Sequence, residues 1–77
     1  MTKVKVVSNI PKGYAGMNYY AARSLGIKFP YSEDTIIVKK GTKNQNETIA
    51  HEKVERLVMK HFNLPYKEAH IIAGFLE

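Results

Sequence analysis

Lys3-Val4-Lys5-Val6-Val7-Ser8 alternates charged and β-branched residues, which is the period of a half-buried strand. Asn9-Ile10-Pro11-Lys12-Gly13 ends it with turn formers. From Tyr14 to Leu25 the spacing turns helical, with Tyr14, Met17, Ala21 and Leu25 on one face and Gly26 as the C-terminal stop. Ile27 to Asp34 reads as loop, held extended at Phe29-Pro30. Thr35-Ile36-Ile37-Val38-Lys39 is almost wholly β-branched and is the strongest strand in the chain. A polar connection, Gly41 to Asn46, offers Asn44 or Asn46 as the cap of a helix from Glu47 to Phe62, closed by Asn63. Leu64-Pro65 then leads into a last helix that starts at Pro65 and runs to near the C-terminus. The predicted order is β-α-β-α-α: a single α+β domain over residues 1–77, with the final two helices as an antiparallel pair packed on a short sheet.

Polar residues interrupt the apolar faces of those two helices. At about 100 degrees per residue, Leu57, Ala50, His61, Val54, Val58, His51, Phe62 and Glu55 form one arc of the first helix. Lys53, Arg56, Lys60 and Asn63 take the opposite side. His51 thus lies inside an apolar arc, with Glu55 one turn on at its edge. An unpaired buried carboxylate costs several kcal/mol or takes up a proton, so both residues need partners. In the last helix the arc is Ile72, Leu76, Ala69, Ala73, Tyr66 and His70. A short connection brings His70 toward His51 and Glu55, and such a two-His, one-carboxylate set is suited to zinc. Glu52, beside the ligand face, would take a proton from water activated by the ion. Tyr66, one turn before His70, is a candidate donor to a developing oxyanion. The strand Thr35–Lys39 could hold an extended peptide or protein substrate by edge pairing. The same His and Glu residues also fit a metal-free hydrogen-bonded cluster that ties the two helices together. His61 lies about 80 degrees around the helix from His51 and is better suited to packing or the surface.

Thr48-Ile49-Ala50-His51-Glu52-Lys53-Val54-Glu55 resembles the active-site helix of the zincin metallopeptidases, whose motif is H-E-x-x-H. Ala69-His70 resembles the third ligand that gluzincins take from a following helix. The resemblance implies a zinc ion, peptide-bond hydrolysis, His51 as first ligand and Glu52 as base. Glu55 stands where the family has its second His, and His70 where gluzincins usually have Glu, so the set reads as an exchanged pair. The spacing H-E-x-x-E followed by Y-x-x-A-H is also similar to that in small phage and archaeal proteins, which implies a shared site rather than an activity.

Composition narrows the chemistry. The chain has 77 residues and no cysteine, so any metal must be held by nitrogen and oxygen alone. A domain of this size buries only about 60% of its unfolded surface, and a metal or a second copy would help stabilise it. Twelve Lys and Arg against seven Asp and Glu give a net charge of +5, which favours acidic partners. The alternative function is therefore a small basic nucleic-acid-binding or regulatory protein in which the His/Glu cluster is structural. That reading needs Lys39, Lys40, Lys43, Lys53, Arg56 and Lys60 on one face. Tyr14, Tyr19, Tyr20 and Tyr31 could stack on bases, although aromatics at helical spacing more often belong to a core. No apolar run approaches the ~20 residues of a bilayer span, and the N-terminus does not resemble a signal peptide, so the expected setting is cytoplasmic.

Overall fold

A computed structural model describes residues 2–11 and 13–76; the turn position assigned to Lys12 and the side chain of Leu76 lie outside what is described. The order is β1 (Lys3–Val7), β2 (Gly16–Asn18), α1 (Tyr19–Leu25), β3 (Thr35–Lys39), α2 (Gln45–Phe62) and α3 (Tyr66–Leu76). The chain is an α+β domain whose last two helices pack together, as the pattern predicts, with one more strand than expected.

That strand comes from the stretch Tyr14–Leu25, which the spacing assigns wholly to helix. Gly16-Met17-Asn18 is extended and fully buried, and the helix begins only at Tyr19. Asn18 is the reason for the break: in extended backbone (φ −130°, ψ 167°), it caps α1 by accepting from the Ala21 N–H at 2.9 Å. Of the expected face, Met17 and Ala21 are buried, whereas Leu25 is exposed. Gly26 ends α1 in the left-handed conformation at φ 71°, donating its N–H to the carbonyls of Ala22 and Arg23.

The sheet order is β1-β3-β2. β1 runs parallel to β3 with Lys3 opposite Thr35, and β2 runs antiparallel with Met17 opposite Ile37. The β-branched strand β3 is therefore central, and Thr35 to Val38 are all buried. This corrects the edge-pairing expectation. β3 has a neighbour on each side, and a peptide cannot add to it. The edge near the functional residues is β2.

The buried face of α2 also departs from the apolar arc. Glu52, Glu55, Arg56, Val58 and Met59 are buried, while Leu57 and Phe62 are exposed. The helix is turned by about 100 degrees from the position that hydrophobicity alone selects. Arg56, expected on the solvated side, lies inward because its Nε donates to the Glu33 carbonyl at 3.0 Å. α2 begins at Gln45, with Asn44 at the cap position but making no side-chain cap bond, and Asn63 closes it in the left-handed conformation (φ 52°). In α3, Ala69 and Ala73 face inward with no exposed surface. These small residues allow α2 and α3 to lie close. No helix among the described residues is long and apolar enough to cross a membrane.

Candidate metal centre

α2 and α3 bring the three predicted ligands to one point. His51 Nε2 lies 3.1 Å from Glu55 Oε2, His70 Nδ1 lies 2.9 Å from the same oxygen, and the two nitrogens are 3.0 Å apart. His51 and Glu55 belong to successive turns of α2. His70 reaches them because Ala69, the residue before it, packs fully into the helix interface. Glu55 is 1% exposed, whereas His70 is exposed on the protein surface. The group is thus anchored at its carboxylate and open at one imidazole.

The protons of this triangle cannot be distributed to satisfy it. Each of the two nitrogens brings at most one proton, and the ionised carboxylate brings none. With both nitrogens protonated, the His51–His70 contact sets N–H against N–H. With one protonated, two contacts at most can be bonded. A cation facing all three lone pairs satisfies them together. Two neutral imidazoles and a carboxylate form a donor set that zinc accepts. A tetrahedral ion with bonds of about 2.0–2.1 Å keeps its ligand atoms about 3.3–3.4 Å apart, so each side of the triangle need open by only a few tenths of an ångström. The donor chemistry and the geometry both fit.

Glu52 does not stand to one side as expected. It is 7% exposed, and its Oε1 accepts from Asn18 Nδ2 at 2.9 Å. The same amide donates to Glu55 Oε1 at 3.1 Å. Asn18, fully buried, was not among the sequence candidates. Its signal was present in the run Asn18-Tyr19-Tyr20-Ala21, since Asn is a preferred N-cap three residues before a backbone N–H it can bond. Gly16, two residues earlier, makes the approach possible. A Cβ there would meet Thr48 Cγ2 at 2.8 Å, Glu52 Cγ at 3.0 Å and the Ile37 carbonyl at 3.2 Å. Glycine therefore lets α2 settle directly on β2, which places Asn18 against both carboxylates.

Tyr66 stacks on His70, with ring centroids 5.3 Å apart and planes at 28°, and its hydroxyl lies 3.4 Å from His70 Nδ1. Burial first, then the charges of Glu55, Tyr14 and Glu52, push its pKa up to about 12. The phenol therefore keeps its proton at neutral pH and remains a donor. A cavity of about 280 Å³ opens beside these groups, walled by Gly13, Tyr14, Ala15, Gly16, Glu47 and Thr48 and floored by His51, Glu52, Tyr66 and His70. All five predicted site residues are thus adjacent: His51, Glu55 and His70 converge, and Glu52 and Tyr66 flank them. His61 is exposed and lies outside the group.

The basic residues are arranged differently. Arg56 and Lys60 are both turned to Glu33, whose Oε1 lies 3.9 Å from Arg56 Nη2 and 3.3 Å from Lys60 Nζ. Tyr20 joins them, its pKa raised by burial and by its hydrogen bond to Glu33. Phe29 contacts Tyr19 and Tyr31 edge to face, with centroid distances of 6.3 and 5.2 Å. Those rings are therefore part of the packing around α1 rather than a free stacking platform.

Comparison of the chain with protein-family models, with curated proteins and with solved structures gave no match. The site must be read from its own geometry.

Proposed function

We propose that this protein is a small zincin-like metal-binding domain in which His51, Glu55 and His70 hold a zinc ion, and that it acts as a minimal zinc-dependent peptidase. The observation that carries the reading is the triangle of contacts at 2.9, 3.0 and 3.1 Å, which no distribution of protons satisfies and one cation does. When bound, zinc supplies Lewis acidity and draws the pKa of water in its open position toward about 7. The chain's own residues supply the rest. Glu52 faces the cavity beside the ligands and is the base that would receive the proton. The amide of Asn18 holds it there. Tyr66 keeps its phenolic proton and can donate to negative charge developing on a carbonyl oxygen. The cavity has room for about one side chain or terminal group of a peptide.

The nucleic-acid reading has less support. It needs six cations on one face, and Arg56 is buried while Lys60 is paired with Glu33.

The hydrolytic half of the proposal is tested by incubating the zinc-loaded protein with an unstructured protein substrate and a mixed peptide pool. Cleavage is expected in the parent. Glu52→Gln should lower it by about 100-fold or more while leaving zinc content unchanged. A zinc-loaded parent that cleaves neither substrate would restrict the function to metal binding.

A further inference from the structure

We propose that Asn18 is the positioning residue of this centre: its side-chain amide assigns the two oxygens of Glu55, holding Oε1 and leaving Oε2 to the ion, and it fixes Glu52 at the same time. The inference rests on the metal-site reading and goes beyond it, because Asn18 lies on a different element and touches neither imidazole in the contacts described.

The orientation of the amide is set by chemistry. The Ala21 N–H can only donate, so the atom 2.9 Å from it must be the oxygen, Oδ1. The NH2 group then points the other way, toward two carboxylates that accept. Its two protons match its two acceptors, Glu52 Oε1 at 2.9 Å and Glu55 Oε1 at 3.1 Å. Both polar side-chain atoms of Asn18 are thus engaged at a residue with no exposed surface. With Oε1 occupied, Glu55 offers Oε2 alone to the imidazole nitrogens, the geometry of a one-oxygen ligand. Neither neighbour in side-chain chemistry can replace it. Asp retains the cap but presents an acceptor to two acceptors. Ser retains the cap but lacks the second donor and the reach. The juxtaposition also explains why the chain holds a glycine at position 16, since without that close approach the amide could not reach α2.

Partners that orient a ligand carboxylate typically influence metal affinity by 10–100-fold. The test uses cobalt(II) as the probe, because its visible absorption reports the number and geometry of ligand atoms, which a purely structural role for Asn18 would not alter. Parent, Asn18→Ser and Asn18→Asp proteins are titrated with cobalt and then competed with zinc. The parent should give a saturable cobalt spectrum. In the folded variants, both of which keep the helix cap, affinity should fall roughly 10–100-fold and the saturated spectrum should change as Glu55 is released to bind through both oxygens. Folded variants with the parent's spectrum and affinity would overturn the role of Asn18 and leave the metal site standing. A parent that binds neither cobalt nor zinc would overturn both. If the variants do not fold, the parent itself decides: with 15N labelling, the Asn18 side-chain amide resonances should move on zinc addition in the parent and remain still in Glu55→Gln. Unmoved resonances in a zinc-bound parent would refute the proposal.

Discussion

Two polar clusters lie on the same helix and differ in the side chains that hold them. Around Glu33, one exposed carboxylate meets two permanent cations, Arg56 and Lys60, together with the Tyr20 hydroxyl. Around Glu55, two buried carboxylates share the Asn18 amide, and Glu55 also meets two imidazoles, with a phenol nearby. The first cluster pairs its carboxylate directly with cations and ties the loop before β3 to α2. The second gathers two carboxylates, an amide and two imidazole nitrogens at a largely buried point where α2 meets β2 and α3. Burying a carboxylate is expensive, and stability alone would favour an apolar residue of similar volume at position 55. α2 is thus turned inward for two distinct reasons. One group is fastened to Glu33 by ion pairs and the other to the Asn18 amide.

Breaking the fastened cluster should give the largest stability effect. Arg56→Ala removes a buried side chain that bonds the Glu33 carbonyl, and it should cost about 1.5–3 kcal/mol in chemical denaturation, equally with and without zinc. A cost that appears only in the absence of zinc would merge the two clusters into one. Gly16→Ala attacks the other side. The added methyl must displace Thr48, Glu52 or the β3 backbone, for a loss of about 1–3 kcal/mol. Because the displaced contacts are those that bring Asn18 to the carboxylates, this variant should also bind zinc more weakly, which calorimetry would record. Glu33→Gln should have a smaller effect than Arg56→Ala, since the backbone carbonyl still accepts from Arg56. Its melting temperature should nonetheless respond to salt less than the parent's.

The smallest effect is on pH dependence and concerns the Glu55 cluster. Tyr66 ionises at about 12 in the folded protein against an ordinary 10.0. Its pKa is raised, so its contribution to stability is complete below pH 10 and is lost as pH rises toward 12. Absorbance titration of the parent should show a late phenolate component that Tyr66→Phe lacks, and stability should decline less steeply over that window in the variant. An unchanged titration curve in Tyr66→Phe would remove Tyr66 from the buried negative field.

Much of the fold was readable because it follows from local pattern. The β-branched run at Thr35–Val38, the alternation at Lys3–Val7 and the helical periods on either side of Pro65 locate four elements. The convergence of His51, Glu55 and His70 was readable too, since one helical turn and one short connection determine it. β2 was not, because three residues carry no period and their extended state depends on pairing with β3. The rotation of α2 was hidden for a similar reason. Hydrophobicity places Leu57 inside and Arg56 outside, whereas Arg56 is held inward by Glu33, and Glu52 and Glu55 by Asn18, both far away in sequence. Asn18 was visible as a possible cap, but its second task needs a close approach that only Gly16 and the sheet reveal.

The central claim is that the Glu55 cluster is built for a cation, and thermal unfolding during zinc titration tests it most directly. At a free zinc concentration 100 times its dissociation constant, the parent should gain about 2.7 kcal/mol, and His51→Ala and His70→Ala should gain little or nothing under the same conditions. A parent that zinc does not stabilise, or variants stabilised as much as the parent, would contradict the account.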